Sequence, residues 1–285
     1  VTAAEPRWRF ALVGSPVAHS RSPALFAALA AEAGTTCHYT LADVSTEALA
    51  AWWSGPARGL HGFNVTVPHK ATAAARCTSV SATAARIGAV NAVRIDPDGG
   101  ATGTNTDAIG FDLTLGDANF ERAVILGSGG AARAVVDVLL ARGVPQVRVV
   151  NRSPGRLSEL MASRSASDRR RLIACSWSDL TEALRDADLV VQTTSAALEA
   201  PDALGDVPWG PTRPTALAVD LVYRPRRTAF LLGAERAGRR TADGLTMLAG
   251  QAAAAFDFFR RVEPDPRASS EAVHRLADSL RAGVD

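Results

Sequence analysis

The chain has 285 residues, of which 47% are apolar and 21% charged, and a formal net charge of +2; this length and composition allow one large or two ordinary globular domains with a substantial core. Its basic residues are scattered rather than clustered with aromatics, which argues against a nucleic-acid partner. No apolar run reaches the ~18 residues that a membrane helix needs.

Cys37, Cys77 and Cys175 are an odd, widely spaced set without a CxxC pair, which argues against a disulfide framework or a structural zinc site. Val1 to Phe10 carries charges and a proline where a secretory apolar segment would stand. The expectation is a cytoplasmic protein in a reducing environment, with no membrane partner.

In chain order, Trp8 to Val13 reads as a strand, Pro23 to Ala33 as a helix and Cys37 to Leu41 as a strand. Glu47 to Trp53 follows as a helix and Gly59 to Val67 as a strand. Such alternation predicts an α/β layer structure with a mainly parallel sheet. Val90 to Ile95 and Ala101 to Thr104 flank Asp96-Pro97-Asp98-Gly99-Gly100, whose residues suit a hairpin turn.

The pattern then restarts. Arg122 to Gly127 is a short apolar strand leading through Ser128-Gly129-Gly130-Ala131-Ala132 into a helix that runs to Arg142, and Val147 to Asn151 is the next strand. This is a βαβ unit with a glycine-rich first turn. Further strands are expected at Leu172 to Cys175, Leu189 to Thr193 and Ala216 to Leu221, with a helix from Gly244 through Phe259 and an amphipathic tail from Glu271 to Leu280. The expected organisation is a Rossmann-type dinucleotide domain over 108–243, and an α/β substrate domain made of 1–107 with the helical segment 244–285 returning to it.

Gly127-x-Gly129-x-x-Ala132 fits the dinucleotide fingerprint with alanine in the third glycine position. The first glycine serves a tight turn, and the second lets the backbone approach a pyrophosphate at a helix N-terminus. An NAD site would usually place an acidic residue at the end of the second strand. This chain has Asn151-Arg152-Ser153 there, with Arg156 following, and two guanidiniums with a hydroxyl favour the 2′-phosphate of NADP. Taken singly, each arginine reads equally well as a solvated residue at a helix start.

The chain contains thirty arginines and one lysine, Lys70. An ammonium can exchange a proton with a substrate where a guanidinium does not. Lys70 closes Gly62-Phe63-Asn64-Val65-Thr66-Val67-Pro68-His69-Lys70, with Pro68 suited to a first helical turn. Gly103-Thr104-Asn105-Thr106-Asp107 is a polar turn before a helix. Asp107 is either a helix cap or the partner of Lys70, and residue type does not separate the two. The same holds for Ser22, which with Pro23 makes a good cap-plus-first-turn pair, and for Ser20 beside it. The five histidines lie at no metal-binding spacing.

Taken together the segments closely resemble the shikimate dehydrogenase family. The resemblance rests on Ser20-x-Ser22-Pro23, Asn64-Val65-Thr66-x-Pro68-x-Lys70, Ile87-Gly88-Ala89-Val90-Asn91, Gly103-x-Asn105-Thr106-Asp107-x-x-Gly110-Phe111, the glycine-rich turn, Asn151-Arg152-Ser153, Asp220-x-x-Tyr223-x-Pro225 and Gly244 to Gln251. It implies NADPH-dependent reduction of 3-dehydroshikimate to shikimate in aromatic amino-acid biosynthesis. Lys70 and Asp107 would be the catalytic pair. Ser20, Ser22 and Tyr223 would bind the substrate carboxylate, and Thr66, Asn91 and Gln251 its ring oxygens. Gly127, Ser128, Gly129, Gly130, Ala131, Asn151, Arg152, Ser153, Arg156, Thr194 and Gly244 would line the NADP(H) site.

Two positions depart from the family pattern: Phe26-Ala27 where His-Asn is frequent, and Ala92 where threonine is common. The resemblance further implies a monomer or homodimer, with the reaction in a cleft between the domains. A quinate- or NAD-preferring relative, and a catalytically silent NADPH-binding regulator, are the alternatives.

Overall fold

The computed structural model describes residues 7–196, 200, 202–262 and 266–282; the first six residues of the N-terminal stretch read above lie outside it. The chain divides into two compact units, one built from the residues up to Gly110 together with Ala249–Leu276, the other from Phe111–Leu248 with the residues from Ala277 onward.

In the first unit β1 (Trp8–Gly14), α1 (Ser22–Glu32), β2 (Cys37–Asp43), α2 (Leu49–Ser54) and β3 (Gly62–Val65) alternate as expected. They are followed by α3 (Lys70–Arg76), β4 (Ser79–Val80), α4 (Ala82–Ile87), β5 (Ala92–Ile95) and β6 (Ala101–Thr104). The six strands form one sheet in the order β2-β1-β3-β5-β6-β4. Its β2-β1-β3 half is parallel, while β5 runs antiparallel to both β3 and β6. β4 pairs parallel with β6, so three of the five pairings are parallel as expected, and β5 is the exception: the five-residue turn after it can join only antiparallel neighbours. That turn closes as the sequence predicts, with Asp96 N–H donating to Gly100 at 2.8 Å and Gly99 at φ +83°.

One face of this sheet is sealed by aromatic packing. Phe10 on β1 meets Phe26 on α1 at 5.5 Å between ring centroids and Phe259 on the helix Leu245–Arg260 at 5.2 Å, and all three are buried. Burying rings of this size against one another on that face fixes the sheet against its helices.

In the second unit β7 (Arg122–Leu126), α6 (Gly130–Ala141), β8 (Gln146–Asn151), α7 (Pro154–Ala162), β9 (Leu172–Ser176), β10 (Leu189–Gln192), β11 (Leu217–Asp220) and β12 (Arg240–Ala242) build a wholly parallel sheet. Its order is β12-β11-β10-β7-β8-β9. Strand order reverses between β7 and β10, the topological switch point at whose carboxyl ends open α/β sheets bind ligands. Val124, Ile125 and Leu126 of β7 and Val190 and Val191 of β10 are fully buried, as strands covered on both faces require. The helix α5 (Asp107–Leu115) leaves β6 and leads toward β7.

Candidate active site

Lys70 is delivered by a turn pinned at several points. After β3 ends at Val65, Thr66 N–H donates to Val13 of β1 at 2.9 Å, and His69 N–H donates back to Thr66 at 2.9 Å. The buried His69 ring places Nε2 2.7 Å from the Val44 carbonyl oxygen. Helix α3 then begins at Lys70, so Pro68 stands two residues ahead of it and not in its first turn. The Lys70 carbonyl accepts from Val90 N–H at 2.9 Å, tying the lysine backbone to the residue before Asn91.

Asn91 is the junction. Its carbonyl accepts from Val65 N–H at 2.8 Å and its own N–H donates to Thr104 at 3.1 Å, so its backbone is held between β3 and β6. The side-chain oxygen accepts from Thr106 N–H at 2.7 Å. The side-chain amide donates toward Asp107 Oδ1 at 2.7 Å, Thr106 Oγ1 at 3.1 Å and Gln251 Oε1 at 3.4 Å. Two amide hydrogens face three acceptors, and the longest contact, to Gln251, is the weakest.

Lys70 Nζ donates to Asp107 Oδ2 at 2.6 Å. The Asp107 side chain is 2% exposed and that of Lys70 is 15% exposed, so a buried carboxylate backs an ammonium that reaches solvent. Both oxygens of Asp107 are thus engaged by side chains from other elements. The cap-like bond at this helix start is instead made by Asn105, whose Oδ1 accepts from Ala108 N–H at 3.4 Å. Asp107 is the first residue of that helix, and its carboxylate serves as the partner of Lys70.

Ser22 also fails the capping expectation. It is the first residue of α1, after Arg21, and no side chain caps that helix. Ser22 Oγ accepts from Ser20 Oγ at 3.1 Å, and Ser20 Oγ accepts in turn from Ser22 N–H at 3.2 Å. Lys70, Asp107, Asn91, Thr66, Ser20, Ser22 and Gln251 all lie in the first unit. Tyr223 lies in the second, on the loop that leaves β11 after Asp220. Asp220 is buried, accepting from Thr228 Oγ1 at 2.7 Å and Val222 N–H at 2.9 Å, and burial pushes its carboxyl up to about 6.

The residues expected at a dinucleotide gather at the switch point of the second sheet. Gly127 follows β7 at φ +111°, and a Cβ there would stand 2.6 Å from Thr193 Oγ1 and 2.9 Å from the Thr194 methyl, just after β10. Gly129 precedes α6 without a side-chain cap, and the space its Cβ would fill is empty to 4 Å. Ser128 Oγ is buried and has no hydrogen-bond partner among the described residues. An open backbone cradle, free helix N–H groups and an orphaned hydroxyl fit a pyrophosphate. Gly130 and Ala131 form the first turn of α6.

At the tip of β8 the Asn151 side chain donates to the Ser153 carbonyl at 3.1 Å. Ser153 Oγ caps α7 by accepting from Arg156 N–H at 3.5 Å. Arg152 and Arg156 are exposed, with the Arg152 guanidinium 5.2 Å from the Trp177 ring centroid. Gly244 packs so tightly that a Cβ would collide with the Leu221 carbonyl. Trp177, Tyr39 and Asn64 are the site neighbours that sequence reasoning did not assign.

Comparison with known proteins matches residues 12–93 to the shikimate dehydrogenase substrate binding domain and residues 112–203 to the shikimate / quinate 5-dehydrogenase domain. The chain is 40% identical over 283 residues to a shikimate dehydrogenase (NADP(+)) of Brucella abortus, covering 96% of this chain and 95% of that protein. The chain belongs to the shikimate dehydrogenase family. Among solved structures it is similar to shikimate 5-dehydrogenase from Thermus thermophilus in complex with NADP(H) and shikimate, with 39% identity, a TM-score of 0.78 and coverage of 94% and 99% of the two chains. Quinate dehydrogenase from Corynebacterium glutamicum in complex with NAD is also similar, at 28% identity and a TM-score of 0.77, covering 96% and 99%. Family-level likeness therefore spans two substrates and two cofactors, and within this family the chain's own residues must decide between them.

Proposed function

We propose that this protein catalyses the reversible, NADP(H)-dependent reduction of 3-dehydroshikimate to shikimate, supplying aromatic amino-acid biosynthesis. The observation that carries this reading is the Lys70–Asp107 pair locked onto Asn91, with Gln251 at its edge. A silent cofactor-binding regulator has no use for a buried carboxylate holding a half-open ammonium.

The first unit takes the substrate and the second the cofactor. Ser20, Ser22 and Tyr223 bind the carboxylate, while Thr66, Asn91 and Gln251 hold the ring oxygens. Asp107 takes one hydrogen of the ammonium at 2.6 Å, which leaves two for the carbonyl oxygen of the substrate. Bound NADPH supplies the hydride. As the carbonyl becomes an alkoxide, Lys70 stabilises the developing charge and gives its proton to that oxygen; in the reverse direction Lys70 removes it.

Gly127, Gly129, Gly130, Ala131 and Ser128 hold the pyrophosphate. Arg152 and Arg156, with Asn151 and Ser153, meet the 2′-phosphate, and Thr194 and Gly244 border the rest of the cofactor. No carboxylate stands at the tip of β8, which favours NADP over NAD. Three free, half-buried cysteines suit a reducing cytoplasm, and the protein acts there as a monomer or homodimer. Spectrophotometric turnover of the purified protein, crossing shikimate and quinate with NADP and NAD, tests the reading. Shikimate with NADP is expected to give the highest kcat/KM; faster quinate oxidation with NAD would overturn it.

A further inference from the structure

Arg152, which meets the 2′-phosphate in the proposed function, is exposed and has no ion-pair partner among the described residues. An arginine of this kind loses rotamer freedom when a ligand orders it, and that loss subtracts from affinity. Its neighbour is a ring: the guanidinium carbon stands 5.2 Å from the centroid of Trp177.

Strand register explains the placement. β8 and β9 are parallel with Asn151 opposite Ser176, so the next residue of each chain, Arg152 and Trp177, leave the carboxyl edge of the sheet side by side. Trp177 is half-buried and packs on the core that contains Val150, Leu180 and Leu184. It opens a single turn of 3₁₀ helix, Trp177–Asp179, at which Ser176 Oγ donates to Asp179 Oδ2 at 2.6 Å. The ring is therefore anchored in the fold, and the guanidinium rests on it.

An aromatic face attracts a guanidinium without cancelling its charge, whereas a carboxylate partner would compete with a phosphate for the same N–H donors. Arg152 is thus held in place with its charge and its donors still available to an anion.

We propose that Trp177 is a positioning residue that holds Arg152 ready for the 2′-phosphate, and so sets how strongly this protein prefers NADP over NAD. The inference rests on the Arg152 assignment of the proposed function. Trp177 acts through Arg152, so binding of NAD, which lacks that phosphate, does not depend on the ring.

Dissociation constants for NADP and NAD, measured by isothermal titration calorimetry, test this in Trp177→Leu, which keeps an apolar side chain on the core and removes the ring. NADP binding should weaken about fivefold, equivalent to about 1 kcal/mol, with NAD binding unchanged. Trp177→Phe keeps a smaller aromatic face, disturbs the core least and should fall between the parent and the leucine variant. Added to Arg152→Ala, Trp177→Leu should cost nothing further for NADP, because the contact it breaks is already gone. Parental NADP affinity in Trp177→Leu, an equal loss for NAD, or the same fivefold loss in the Arg152→Ala background would overturn the proposal; the last two are the pattern of a purely structural residue. An Arg152→Ala protein that binds NADP like the parent would instead refute the assignment on which the inference rests.

Discussion

Asn91 donates to one carboxylate oxygen of Asp107 at 2.7 Å and thereby leaves the other, at 2.6 Å, to Lys70. This division of labour makes Asp107→Asn a sharp test. The amide oxygen must face Asn91, so the new NH2 group is turned toward the ammonium, donor against donor. Turnover is expected to fall by about 10²-fold or more. Loss of a hydrogen bond to a charged group should cost about 1.5–3 kcal/mol of stability, leaving the protein folded because Asn105 supplies the local cap. Steady-state kinetics alongside thermal unfolding checks this, and an unchanged rate would return Asp107 to a structural role.

Arg152→Asp should shift preference from NADP toward NAD. The new carboxylate repels a 2′-phosphate and accepts from ribose hydroxyls, and losing one charge-assisted phosphate contact is worth on the order of 1.5–3 kcal/mol. Arg156→Ala should weaken NADP in the same direction but less. Dissociation constants for both cofactors decide it, and NADP binding equal to the parent in both variants would put the 2′-phosphate elsewhere.

Buried Asp220 gives a pH prediction. Its folded carboxyl is raised from 3.8 to about 6, so between those values the native state binds the proton that the unfolded chain has already released. The group's contribution to stability is full at low pH and is lost as pH rises through about 6. Asp220→Asn does not titrate. Relative to that variant the parent should lose about 2 kcal/mol of stability between pH 4 and pH 7, measured by denaturant unfolding across the range. A difference independent of pH would mean that the hydrogen bonds from Thr228 and Val222 fully offset the burial.

Legibility from sequence tracked how local each cause was. Strands with apolar runs such as Arg122–Leu126 and the glycine-rich turn after them stood out because period and turn chemistry are encoded within a few residues. Short elements such as Ser79–Val80 and Arg240–Ala242 did not, since strand partners far along the chain decide them. Ser22 beside Pro23 has the composition of a cap, yet it is the first residue of α1 and its hydroxyl is claimed by Ser20. Tyr39 gave no signal at all, because a tyrosine alternating along a strand looks like packing until Asn64 is seen opposite its hydroxyl. Trp177 was silent likewise; only the fold brings it beneath Arg152.

The central claim is that the single lysine moves the proton, and steady-state kinetics of Lys70→Arg across pH tests it most directly. The guanidinium keeps the charge but is planar and does not release a proton near neutrality. KM for shikimate should rise modestly while kcat falls by about 10²-fold or more, with the melting temperature close to the parent. A folded Lys70→Arg protein with near-parental kcat would contradict the account, making Lys70 a point charge for binding and assigning the proton to another group.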